Sequence, residues 1–113
     1  MAASVAAGLM MSFAATVPSL SAASASTAPA VVHVKIANFM FMPMVVKAHP
    51  GELIEVTNKD AVAHTLTSSK PKLFTTGNIG HNQTKGFHAP KKPGTYHFIC
   101  FIHQFMTGTL VVK

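Results

Sequence analysis

Residues 93–108 read PGTYHFICFIHQFMTG, and the pattern of this stretch decides the fold class. Pro93-Gly94 is a turn signal, and from Thr95 the chain alternates, with Tyr96, Phe98 and Cys100 on one face and His97 and Ile99 on the other. The alternation stops after Cys100. Gly108 then opens a last strand, residues 109–113, with Leu110 and Val112 on one side. Upstream, Val32, Val34 and Ile36 alternate with His33 and Lys35, and Ile54, Val56 and Asn58 alternate with Glu55 and Thr57. Pro43 and Pro50-Gly51 punctuate the segment between these two strands, and Asn58-Lys59-Asp60 reads as a turn. Residues 68–83 mix Ser, Lys, Pro, Gly and Asn without periodicity, which predicts a long loop holding one short strand; residues 84–89 make a further strand. Short strands, closely spaced turn signals and no amphipathic helix predict an all-β fold, an antiparallel sandwich or Greek-key barrel.

At 113 residues the chain has room for one domain. Hydrophobic residues make up 49% and charged residues 11%, a balance tilted by the apolar, Ala-rich residues 1–30. Residues 5–17 match the apolar core of an export signal and are too short to cross a bilayer, which takes on the order of 20 apolar residues. Ala23-Ser24-Ala25 fits the A-x-A cleavage pattern, although no Lys or Arg precedes Lys35 to supply a basic start. The sequence therefore predicts a signal peptide over residues 1–25, a linker over 26–30 and one domain over 31–113, exported to the periplasm. The competing reading of residues 5–17 is an apolar core or disordered segment. Lipid anchoring would need a Cys beside the cleavage site, and the single Cys is Cys100, so no membrane anchor is expected.

All nine Lys and all three acids (Glu52, Glu55 and Asp60) lie after residue 34, so the mature domain carries the full formal charge of +6. Such a surface favours acidic partners or is simply solvated. The absence of Arg argues against nucleic acid, whose readout leans on bidentate guanidinium contacts. A monomer is expected.

One Cys excludes an intramolecular disulfide, and a free thiol in an oxidising compartment is a liability or a ligand. Cys100, His103 and Met106 form C-x2-H-x2-M in the turn between two strands, where three side chains can converge. A thiolate, two imidazoles and a weak axial thioether make the donor set that suits copper cycling between Cu(II) and Cu(I). Zinc is the competing ion, but it takes His, Cys and carboxylates and binds Met poorly. Met106 taken alone is as well explained as core filler. For the second imidazole, position favours His64, which follows the turn after the strand that ends at Asn58. His33 and His97 should point outward by alternation, and His49 sits in a turn beside Pro50-Gly51. Nothing in the pattern removes His81 or His88.

The chain resembles the cupredoxins, the type 1 blue copper proteins, and within them the amicyanin and plastocyanin branch. The stretches that carry the resemblance are residues 36–43 with Val46 and Pro50-Gly51, residues 56–65 with His64-Thr65, and the ligand loop at 93–108; residues 74–77 add a weaker match. The two-residue gaps on both sides of His103 are similar to amicyanin's short loop. The resemblance implies a cupredoxin-like Greek-key β-sandwich of about eight strands, one type 1 copper ion held near one end by His64, Cys100, His103 and Met106, and His103 reaching the surface. Family members often have Asn or another polar residue after the first His and Pro after the second; Thr65 and Gln104 stand there in this chain. The resemblance gives His81 and His88 no role.

Three functions follow for comparison. A diffusible single-electron carrier between periplasmic redox proteins, donor and acceptor each with an acidic docking surface, is favoured by one redox site without substrate machinery. A copper storage or delivery protein is the alternative, to which Met40, Met42 and Met44 lend thioethers; alternation would place these on one face of a strand, as core or rim packing. An enzyme is disfavoured: Ile99 and Phe101 flank Cys100 where copper enzymes of this kind commonly carry His, and three scattered acids build no catalytic pair. The loop residues Phe101, Ile102 and Phe105 should ring His103 as an exposed apolar patch, the alternative being that Phe105 tucks into the core.

Overall fold

A computed structural model describes residues 30–113; the expected signal peptide lies outside the described residues. Eight strands follow in order: β1 Val31–Ala37, β2 Met40–Met42, β3 Val45–Ala48, β4 Leu53–Asn58, β5 Thr67–Ser68, β6 Thr84–His88, β7 Gly94–Ile99 and β8 Thr107–Val112. They form two four-stranded sheets, ordered β2-β1-β4-β6 and β3-β8-β7-β5. Among the described residues no helix is long and apolar enough to cross a membrane.

The faces are those that the period of two assigns. Val34 and Ile36 in β1, Ile54 and Val56 in β4, Phe98 in β7, and Leu110 and Val112 in β8 are all buried, because alternate side chains of a strand share one face and the two sheets press those faces together. Phe41 meets Phe98 edge-on across the core with ring centroids 4.9 Å apart. His33 and His97, on the opposite parity, are exposed.

Three expectations need correction. The sheets are mixed rather than antiparallel: β1 pairs with β4, and β3 with β8, in parallel. Between β1 and β4 the chain turns back as β2 and crosses to the other sheet as β3, so it returns beside β1 running the same way, as a crossover requires. Met40, Met42 and Met44 do not share one strand, since β2 ends at Met42 and β3 begins at Val45; Met40 and Met44 are exposed rather than packed. The short strand expected within residues 68–83 is β5, which sits at the start of that loop, with isolated bridges from Thr67 to Thr75 and from His64 to Ile79 holding the rest.

Gly108 is required by close approach. A Cβ there would clash with the edge of the Phe98 ring at Cζ and Cε1 and lie 3.0 Å from the Met44 carbonyl oxygen, so β8 lies against β7 and β3 only without a side chain at this position. β1, β4 and β7 all run out at the end of the sandwich where β8 begins. The connections leaving that end are the Asn38-Phe39 turn, residues 59–66 and residues 100–106, and these carry the chemistry.

Candidate metal centre

β7 delivers Cys100 one residue past its end, fully buried. The chain then loops and returns: the Met106 amide donates to the His103 carbonyl (2.9 Å), and the Cys100 amide donates to the Met106 carbonyl (3.1 Å). This closed loop aims His103 back over Cys100. From the other sheet, the segment after β4 brings in His64, whose amide and carbonyl bond reciprocally with Ile79 and whose imidazole is fully buried.

The three donor atoms form a small triangle. His64 Nδ1 lies 3.7 Å and His103 Nδ1 3.9 Å from Cys100 Sγ, and the two nitrogens are 3.2 Å apart. A trigonal ion bonded at about 2.0 Å to each nitrogen and about 2.3 Å to sulfur would separate the two nitrogens by roughly 3.5 Å and each nitrogen from the sulfur by roughly 3.7 Å, so the residues fit a first-row metal held by two nitrogens and one sulfur. This is the one such group of His, Cys and acidic side chains among the described residues. Met106 is buried in the same loop. His33, His49, His88 and His97 are exposed and outside the group. The His81 ring donates to the Asp60 carbonyl (2.9 Å) and the His88 ring to that of Gly51 (3.2 Å), so these two histidines pin loops.

Several supports were not legible as such in the sequence. The Thr65 amide points at Cys100 Sγ (3.3 Å), and its hydroxyl accepts the Phe101 amide (2.8 Å), tying the ligand loop to the His64 segment. Thr65, Thr67 and Thr75 continue a hydroxyl chain at 2.9 and 2.8 Å. The buried Asn58 side chain donates to the carbonyls of Val62 and Ile79 and accepts the Asp60 amide, the last an Asx turn that the Asn-x-Asp spacing could have signalled. Asp60 in turn accepts from the His64 imidazole Nε2 (2.8 Å). Burial pushes the Asp60 carboxyl upward, but hydrogen bonds from the Phe39 amide, the His64 ring and the Asn38 amide outweigh it and hold the group below the usual carboxylate range. Phe39 stands edge-on to both imidazoles of the cluster, 5.0 Å from His64 and 5.2 Å from His103 between centroids.

His103 is half-buried, and around it Phe101 is 65%, Ile102 46% and Phe105 71% exposed. The apolar patch is therefore present, and Phe105 belongs to it rather than to the core. A short loop closed by two backbone bonds has no room to turn Phe105 inward beside the buried Met106.

A two-sheet β-sandwich with a thiolate and two imidazoles converging at one end defines a class of protein built around a type 1 copper site, and the donor cluster with Met106 beside it matches such a site. The family model described as "Cupredoxin-like domain" matches residues 4–112, and the chain belongs to that family. Among solved structures it is similar to a reduced Cu(I) amicyanin variant at pH 4 (22% identity, 79% of this chain and 88% of that one, TM-score 0.67). It is also similar to another reduced amicyanin variant (21%, 83% and 90%, TM-score 0.65). A copper-containing nitrite reductase from Thermus scotoductus SA-01 matches at 25% identity and TM-score 0.68 over 83% of this chain, which spans only 25% of that enzyme's chain. A comparison with curated proteins finds no match.

Proposed function

We propose that this protein is a type 1 blue copper protein that carries single electrons, with His64, Cys100, His103 and Met106 as its ligands. The observation that carries the reading is the triangle of one buried thiol and two imidazoles at 3.2, 3.7 and 3.9 Å, presented by the connections at one end of a rigid sandwich. Copper bound there would supply the one-electron couple. The chain's own part is to hold its donors still: Cys100 and His64 are sealed from water, and the Thr65 amide is aimed at the sulfur, where it would disperse thiolate charge. The loop closed on Met106 keeps the thioether on the buried side and His103 on the solvent side. A donor set that is already close to trigonal needs little rearrangement when charge changes, which is what fast transfer requires.

Partner contact would fall on the half-buried His103 and its apolar surround of Phe101, Ile102 and Phe105, while the formal charge of +6 steers acidic redox proteins from a distance. We place the domain at residues 31–113, acting as a monomer in the periplasm after removal of residues 1–25. The deciding experiment is one visible spectrum of the purified protein loaded with copper and fully oxidised to Cu(II): an intense thiolate-to-copper band is expected, and a colourless stoichiometric Cu(II) complex would refute the assignment.

Exposed Met40 and Met44 favour a second reading, copper storage or delivery, because surface thioethers suit Cu(I). Exchange separates the two. A carrier keeps its copper through repeated redox cycles in the presence of a competing apo-protein, whereas a delivery protein gives it up.

A further inference from the structure

The turn between β1 and β2 is unusual for its residues. Asn38 and Phe39 both have positive φ, 53° and 58°, the requirement of a two-residue type I′ hairpin, which Gly and Asn meet easily and Phe does not. A bulky residue in this region costs on the order of 1–2 kcal/mol, so something outside the hairpin must hold it. That something is Asp60, 21 residues away: its Oδ1 accepts the Asn38 amide at 2.7 Å and its Oδ2 the Phe39 amide at 2.8 Å. The same Oδ2 accepts His64 Nε2 at 2.8 Å. Asp60 is itself fixed through its amide on Asn58 Oδ1 (2.9 Å) and its carbonyl under the His81 ring (2.9 Å).

We propose that Asp60 is a positioning residue for the metal site, holding His64 in the Nε2–H tautomer with Nδ1 bare toward Cys100, placing a negative charge behind that ligand, and locking Phe39 over both imidazoles. The proposal deepens the copper reading and rests on it for its second arm only. A carboxylate already taking two backbone N–H donors can only accept from the ring, so Nε2 must carry the proton and Nδ1 the free lone pair. This is the carboxylate–histidine–metal arrangement in which an outer partner sets ring orientation and ligand basicity. A charge behind the ligand favours the more positive ion, Cu(II), over Cu(I). Phe39, edge-on to both rings, then packs against each imidazole.

The test uses the full chain in two arms. In the metal-free protein at pH 8, long-range proton–nitrogen NMR of the histidine rings should show His64 wholly as the Nε2–H tautomer, and Asp60→Ala should convert it to a mixture. In the copper-loaded protein, Asp60→Asn, which keeps an acceptor but no charge, should retain the blue band while weakening Cu(II) about 10- to 100-fold. Cu(I) should weaken less, and each tenfold difference raises the reduction potential by about 59 mV. An Nδ1–H tautomer in the wild-type protein overturns the proposal even if no variant folds. So does Asp60→Ala with wild-type tautomer and potential. A fully oxidised wild-type protein that holds Cu(II) without a blue band refutes the ligand assignment instead, and the NMR arm still decides what Asp60 does to His64.

Discussion

Gly108→Ala should unfold the site from the strand side. The methyl carbon would clash with the edge of the Phe98 ring, with Cε1 only 2.5 Å away, and come within 3.0 Å of the Met44 carbonyl. Phe98 is itself pinned against Phe41 at 4.9 Å and is 1% exposed, so its ring cannot give way freely, and the carbonyl receives the Thr109 amide at 2.8 Å. Overpacking of this kind costs about 1–3 kcal/mol, and two rigid obstacles place Gly108→Ala in the upper half of that range. For a domain of this size each kcal/mol moves Tm by about 4–8 °C, so a loss of roughly 10–20 °C is expected in thermal unfolding of the metal-free protein followed by circular dichroism. Phe98→Leu removes the obstructing ring edge; the double variant should lose at least about 1 kcal/mol less than the two single losses added together, a coupling expected only of groups in contact. A Gly108→Ala protein within about 0.5 kcal/mol of wild type, or full additivity in the double variant, would refute the close-approach argument.

Cys100→Ser should abolish the blue band, since no other side chain among the described residues brings a thiol to the two imidazoles; survival of the band in the visible spectrum would reject the site. Met106→Leu should keep copper but raise the reduction potential, because losing the thioether disfavours the oxidised ion; an unchanged potential by spectroelectrochemistry would remove Met106 as axial ligand. Phe101→Ala or Ile102→Ala should slow reduction by a physiological donor without changing the spectrum, and added salt should slow association independently, as stopped-flow measurements can separate. Wild-type rates in these variants at every salt concentration would point to another face. The Asp60 pKa is depressed in the folded protein, so its stabilising contribution is complete above the unfolded carboxylate pKa and is lost as pH falls through the folded one. In urea unfolding of the metal-free protein, wild type should therefore exceed Asp60→Asn at neutral pH by a margin that narrows on acidification; a constant margin would show that charge is not its source.

The sequence by itself determined the strands β1, β4, β6, β7 and β8, the buried faces of β1, β4, β7 and β8, and three neighbouring members of the proposed donor set, because those properties are local. Val34, Ile36, Ile54, Val56 and Phe98 declare their face by a period of two that any half-buried strand must show, and Cys100, His103 and Met106 declare a loop by spacing that follows the end of a strand pattern. His64 was legible only by its place after a strand end. What tertiary structure decided is everything that depends on which strand lies beside which. The parallel pairings of β1 with β4 and β3 with β8 follow from the chain crossing between sheets, which alternation cannot encode. Asp60 looked like one acid in a polar turn, yet it bonds a hairpin 21 residues upstream and the His64 ring four residues downstream, because all three meet only when β1 and β4 pair in register from Val31↔Leu53 to Ile36↔Asn58. Phe39 could not be foreseen over the imidazoles, since its own side chain disfavours the backbone it adopts and the carboxylate that accepts its amide comes from the turn after β4.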